Sequence, residues 1–184
     1  MTEVSYDLDA HRFITGVSDS WDQFASENYG TKVSSRDVIG QSIWSIVTEP
    51  DLRIYTNAIF FAVRHWNHPL KIPMRCDAPG LIRDVIMEVA PMQDDGLRVS
   101  HRIMSERPQR TAETGAQCTI CHAVMHDKKN TGSQFVCRSC RSFASNLISQ
   151  LGRRYGSAGC DPSDTSRDQF QPHHQPALRG FGTG

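Results

Sequence analysis

The sequence predicts an α+β fold: a five-stranded antiparallel sheet with helices on one face, then a small metal-bound unit and a disordered tail. Three observations carry this. Segments with strand-type alternation stand at both ends of the first hundred positions, with helix-period segments between them. Two C-x2-C pairs, Cys118/Cys121 and Cys137/Cys140, are separated by fifteen residues. From Gly152 to Gly184 large apolar side chains become sparse among Gly, Ser, Pro, Asp, Gln and His.

The bounds agree with this division. A chain of 184 residues supports one medium domain plus a small appendage. Lys+Arg and Asp+Glu both count 20, so net charge alone suggests neither nucleic acid nor a membrane surface. The balance is uneven: residues 1–110 hold 12 basic and 15 acidic side chains, a net of −3, whereas 111–184 hold 8 and 5, a net of +3. No basic segment followed by an apolar run opens the chain and no long apolar stretch interrupts it, so a soluble cytoplasmic protein without membrane contact is expected. In a reducing compartment, six cysteines point to metal or thiol chemistry rather than to disulfides.

In order along the chain, Val4–Asp9 and Arg12–Val17 alternate around Ala10-His11 and predict a hairpin. Ser18 or Asp19 is positioned to cap a helix from Trp21, with Trp21, Phe24 and Ala25 as its stripe and Gly30 as its stop. Val38, Ile39, Ile43, Trp44 and Ile46 are too irregular for one long helix and predict one or two short turns. After Pro50, the spacing of Leu52, Tyr55, Ile59, Ala62 and Trp66 predicts a helix over 51–67. The period then changes to two, with Leu70, Ile72, Met74 and Cys76 on one face, and Pro73 marks an edge strand or a bulge. Turns at Ala78-Pro79-Gly80 and Asp94-Asp95-Gly96 deliver two further strands, over Leu81–Val89 and Leu97–Ile103. Cys76, Trp21 and Trp66 are read as core residues, and Arg75 and Arg83 as the solvated face of the sheet.

Hairpin, helices, then three strands is also the element order of the Per-Arnt-Sim (PAS) sensor family. Ser20-Trp21-Asp22-Gln23-Phe24-Ala25, Val38-Ile39-Gly40-Gln41-Ser42-Ile43-Trp44 and Arg75-Cys76-Asp77-Ala78-Pro79 resemble motifs of a bacterial PAS group, and the resemblance covers residues 3–105. It implies a sensory or interaction module whose helices and sheet enclose a ligand, here unknown, and whose surface contacts a protein partner or a second copy. It implies no catalysis. The flavin-photoreceptor branch uses a cysteine near the middle helices, and residues 36–47 contain none. The haem branch uses a histidine on the long helix, a place that His65 or His68 would have to fill.

Residues 106–117 have no apolar period and are read as a linker. Beyond it, each C-x2-C turn presents two sulfurs to one tetrahedral ion, so Cys118, Cys121, Cys137 and Cys140 form the ligand set of a closed, structural zinc site. A hairpin of Ala123-Val124-Met125 with Gln134-Phe135-Val136 is expected between the pairs, flanking a polar turn over Asp127–Ser133. A helix with Phe143, Leu147, Ile148 and Leu151 as its stripe is expected after them. This 118–155 unit resembles a treble-clef zinc finger. Its last two ligands would sit at a helix N-terminus, which suits thiolates. His122 and His126 are spare in a shell of four sulfurs, and the match of Cys118–His122 to a c-type haem attachment pattern or to a redox dithiol leaves the second pair unexplained.

The expected function is that of a non-enzymatic cytoplasmic signalling protein: a PAS-like domain over 3–105 coupled to a structural zinc module. A nucleic-acid-binding transcriptional regulator is the first alternative. Lys128, Lys129, Arg138, Arg141, Arg153 and Arg154 face only Asp127 in charge within the finger. A haem or redox sensor is the second. No Ser-His-Asp arrangement, Walker loop, H-E-x-x-H or kinase motif supports a hydrolase, NTPase or kinase. Residues 156–184, with Cys160, His173 and His174, are read as tail.

Overall fold

Alternation builds the sheet. In the computed structural model, which describes residues 3–28, 33–77, 80–109, 116–125 and 135–156, β1 (Glu3–Leu8) and β2 (Ile14–Val17) form the predicted hairpin. Asp9 fixes the turn between them, its Oδ1 accepting the backbone N–H groups of His11 and Phe13 at 2.8 Å each. β3 (Leu70–Arg75), β4 (Leu81–Pro91) and β5 (Leu97–Pro108) form the predicted meander. Every pairing is antiparallel and the order is β2-β1-β5-β4-β3.

The register sets two unlike faces. Val4, Tyr6 and Leu8 lie opposite His101, Val99 and Leu97, and Met74, Ile72 and Leu70 opposite Val85, Met87 and Val89, so apolar side chains share one face. On the other face the opposed pairs are charged: Asp7 with Arg98 at 2.7 Å, Glu3 with Arg102 at 2.9 Å and Lys71 with Glu88 at 3.3 Å. Exposed pairs of this kind add little stability, but they keep that face in water.

Four helices connect β2 to β3: α1 (Trp21–Glu27), α2 (Ser35–Val38), α3 (Ile43–Ile46) and α4 (Pro50–Trp66). The irregular 34–47 segment thus becomes two single turns. Glu49 caps α4 ahead of Pro50, and Asn67 ends it in the left-handed region at φ 48°. Its buried residues Tyr55, Ile59, Phe60, Ala62 and Val63 join Leu70, Val89, Leu97 and Val99 in the main core. Ser20, not Ser18 or Asp19, is the N-cap of α1. The Ser18 hydroxyl is engaged instead by the Ser5 N–H at 3.1 Å and by Ser20 at 3.0 Å. Gly30 lies outside the described residues. Trp21, Trp44 and Trp66 pack against the core without being fully enclosed.

Arg83 corrects the sequence reading. It shares the inner face of β4 with Val85, Met87 and Val89 and is 7% exposed. A register shift between Asp84 and Val85 keeps Glu106 directly opposite it, and the two pair at 2.6 Å. Its cost of burial is offset by that carboxylate, by Asn28 Oδ1 and by the Phe24 ring 5.5 Å away. Arg75, at the end of β3, is half-buried against Asp77 rather than solvated.

The C-terminal part also differs in detail. β6 (Ala116–Gln117) pairs with β7 (Val124–Met125), whereas Phe135 forms an isolated bridge to Cys118 and accepts the Thr119 N–H at 2.8 Å. The expected partner of Val124-Met125 is therefore displaced by residues immediately before the first cysteine, because Phe135 is needed beside the knuckle. Glu106–Pro108, read as linker, are strand. α5 (Arg138–Tyr155) is present, but its buried positions are Ala144 and Leu151, with Leu147 and Ile148 partly covered and Phe143 42% exposed. The stripe is rotated because α5 packs against α4. The polar turn Asp127–Ser133 and the tail beyond Gly156 lie outside the described residues. Among the described residues no helix is long and apolar enough to cross a membrane.

Candidate metal centre

Both C-x2-C turns deliver their sulfurs to one point. The ligand atoms of Cys118, Cys121, Cys137 and Cys140 all lie within 4.8 Å of one another. Cys118 and Cys140 sulfurs are 3.9 Å apart, and those of Cys121 and Cys137 3.8 Å. A tetrahedron with metal–sulfur bonds of ~2.3 Å has edges of roughly 3.8 Å, so these separations suit a metal ion held by four thiolates. They are well beyond a disulfide bond of about 2.05 Å. The four cysteines could together hold a metal ion.

The backbone is arranged for thiolates. His122 takes φ 56°, closing the first knuckle with its N–H on the Cys118 carbonyl at 2.8 Å. Cys118 Sγ accepts the N–H groups of Ile120 at 3.4 Å and Cys137 at 3.2 Å, and Cys137 Sγ accepts that of Cys140 at 3.5 Å while capping α5. The helix start therefore points its first N–H groups at sulfur, as the sequence reading required. Burial pushes the Cys118 thiol up, but the backbone N–H groups of Cys121, Cys137 and Ile120 outweigh it and bring the group down to about 7. Burial, with the neighbouring sulfurs, raises Cys121 and Cys140. A set that resists holding several thiolate charges at once is one that a divalent cation would relieve.

The centre is built into the main body of the protein. Cys118, Ile120, Phe135, Val136 and Leu151 belong to the same buried cluster as Leu8, Ile59 and Val63. The Arg75 N–H donates to the Ile120 carbonyl at 2.7 Å, so the first knuckle hydrogen-bonds to the outer edge of β3. Asp77 accepts from Arg75, from the Arg83 N–H at 3.2 Å, and lies 3.0 Å from His122 Nδ1. Burial alone would raise this carboxyl, but the Arg75 and Arg83 hydrogen bonds and the nearby His122 and Arg75 charges hold it below the usual carboxylate range. On the helical side, Arg141 reaches both the Val136 carbonyl at 2.8 Å and Asp51 of α4 at 2.5 Å. Tyr55 of α4 stands against the sulfurs; burial, and after it the nearness of the four cysteines, raises its phenol. At the far end Gly152 lets α5 approach the Trp66 ring, and the Tyr155 hydroxyl meets His68 Nε2 at 2.6 Å.

The other residues singled out by sequence fall elsewhere. His65 is exposed and stacks on Phe61 with centroids 5.5 Å apart, and His68 is engaged by Tyr155. His122 faces Asp77 and not the sulfurs. Cys76 is half-buried beside Arg83, and burial raises its thiol. Arg138, Arg153 and Arg154 are exposed on α5. Lys128, Lys129, His126, Cys160, His173 and His174 lie outside the described residues. Sequence reasoning did not connect Asp77, Tyr55 or Arg141 with the cysteine pairs, because the Asp77–His122 and Arg141–Asp51 contacts join positions 45 and 90 apart along the chain. The only trace of Asp77 was its place in the Arg75–Pro79 motif.

No protein-family model matches the chain, and no curated protein matches it. Among solved structures, the chain is similar to a domain of an HTR-like protein from Haloarcula marismortui, with 14% identity over 56% of this chain and 98% of that one and a TM-score of 0.37. A likeness at that level carries no argument about function.

Proposed function

We propose that the chain is a cytoplasmic signal-transduction protein in which a PAS-like sensory or protein-interaction domain is coupled to a structural zinc module. The observation that carries this reading is Asp77, which ties the β3–β4 turn of the sheet to the knuckle of Cys118 and Cys121. Zinc would be held by Cys118, Cys121, Cys137 and Cys140, and would supply the cross-link that holds the two knuckles together. The shell offers no open position, so the module has a structural role and the reading contains no catalytic step. A change at the sheet would reach α5 through Asp77 and through the α4–α5 contact, and a protein partner or second copy would read it on that rigid surface. The nucleic-acid alternative draws on the exposed Arg138, Arg153 and Arg154, whereas Arg141 is paired with Asp51.

The test is native mass spectrometry combined with hydrogen exchange before and after chelation. One zinc per chain is expected. Removing it should release protection in 116–156 and also in Leu70–Asp77 and the first turns of α4. Loss confined to 116–156 would remove the coupling, and a metal-free chain with a folded 135–156 helix would remove the zinc.

A further inference from the structure

A second site is separate from the sulfurs. A cavity of about 260 Å³ lies between α1 and the inner face of β1, β4 and β5, walled by Val4, Trp21, Phe24, Val85 and Ile103, with Tyr6, His101, Asn28 and Arg83 as its polar members. It is not a gap in the main core: Ile59, Phe60 and Val63 close the space beneath α4, and the buried Val4, Ala25 and Val85 stand outside that cluster. Protein interiors seldom leave voids larger than a water molecule, and a dry apolar space of ~150 Å³ is enough to take up benzene.

The walls define the chemistry of what fits. Tyr6 meets Trp21 edge to face at 6.1 Å and His101 in a stacked arrangement at 6.3 Å, so rings line one side of the space. The Trp21 N–H is already given to the Val33 carbonyl at 2.7 Å, which leaves its π face for packing. Among the described residues neither the Tyr6 hydroxyl nor the His101 ring has a hydrogen-bond partner. Both groups face the cavity, where each can pair with a polar group of whatever enters it. No net charge is on offer. Arg83 reaches the cavity but is compensated by Glu106 and Asn28, and burial lowers His101 to about 4, so its ring is neutral. An anion entering here would lose its water and gain no unpaired cation.

We infer that this cavity binds an uncharged aromatic molecule of one or two fused rings bearing a hydroxyl or carbonyl group, with the rings among Trp21, Phe24 and Ile103 and the polar group on Tyr6 and His101. The inference deepens the sensory reading and rests on it for its consequence, whereas the binding itself is read independently. Ligand in this space would touch Cys76, which precedes Asp77 in the chain, and Arg83 of β4, whose N–H Asp77 accepts, and so would press on the strut that leads to the candidate metal centre.

The test titrates the zinc-loaded full chain at neutral pH, by calorimetry and by the Trp21 side-chain N–H resonance, with 2-naphthol, naphthalene and 2-naphthoate. Saturable binding of 2-naphthol is expected, about tenfold tighter than naphthalene, as one neutral hydrogen bond allows, and tighter than 2-naphthoate. Val85→Phe should abolish it with zinc stoichiometry unchanged. His101→Phe should bind naphthalene as before and lose the preference for 2-naphthol. Failure of all three probes to bind, or 2-naphthol binding that both variants leave intact, would overturn the site. Tightest binding of 2-naphthoate would overturn the ligand class while leaving a sensory cavity in place. Neither result touches the chelation experiment, which fails or succeeds on the metal alone.

Discussion

The Asp77 carboxylate lies 3.0 Å from Nδ1 of His122, joining a sheet turn to a cysteine knuckle 45 residues later in the chain. Because the same carboxylate also accepts from Arg75 and from the Arg83 N–H, Asp77→Ala removes three interactions at once. The expected cost is roughly 1–3 kcal/mol in denaturant unfolding of the metal-loaded protein. Zinc affinity, measured by competition with a chelator, should weaken with it. Unchanged stability would mean that the knuckle docks through Ile120 alone.

Replacing a single sulfur tests the centre more severely. Cys140→Ser should eliminate stoichiometric zinc and lower stability by several kcal/mol, because Cys118 and Val136 share a core with Ile59 and Val63. A thermal melt that loses one small transition and keeps the main one would show that the shared cluster is not cooperative.

Gly152 is where α5 comes closest to Trp66: a Cβ there would meet the ring at 3.2 Å. Gly152→Leu should push the helices apart, cost about 1–3 kcal/mol as overpacking does, and red-shift Trp66 fluorescence. Gly152→Ala sets a gain of up to ~1 kcal/mol in helix propensity against a contact the ring must yield to, and near-neutral stability is expected.

His101 supplies a pH signature. Its folded value, about 4, lies below the ordinary 6.5, so between these limits the unfolded chain binds more protons than the folded one. Stability from this group is complete above about pH 6.5 and is lost as pH falls toward 4, by roughly 2–3 kcal/mol. His101→Phe should flatten the curve in that window relative to the wild type, which controls for metal release at acid pH. Parallel curves would show that the ring is hydrated in the folded state.

Much of this was legible in the chain. Period-two runs located β1 and β3–β5, Pro50 and the Leu52–Trp66 spacing located α4, and the cysteine spacing located the cluster of four sulfurs that could hold a metal ion. What was not legible depends on long-range partners. Arg83 reads as a surface charge until Glu106 and Asn28 are seen to enclose it, although its alternation with Val85 and Met87 already placed it on the inner face. The rotated stripe of α5 is another case, since Ala144 outranks Phe143 only because α4 lies close by. A weakly apolar helix takes its orientation from its neighbour. Docking of the cysteine unit had no local signal at all, because its contacts, Arg75–Ile120, Asp77–His122, Arg141–Asp51 and Tyr155–His68, join positions 45 or more apart in the chain.

The bond from the Arg75 N–H to the Ile120 carbonyl has one more effect. β3 is the last strand of the sheet, and the N–H groups of Lys71 and Arg75, like the N–H that Pro73 lacks, belong to its outward side. Proline removes the middle donor, the knuckle takes the last, and a charged side chain stands at the first. The strand therefore offers no usable ladder to a foreign β-segment, and the protein is guarded on that flank against the edge-to-edge association that leads to aggregates. Stripping the metal would uncover Arg75 and reopen part of that edge.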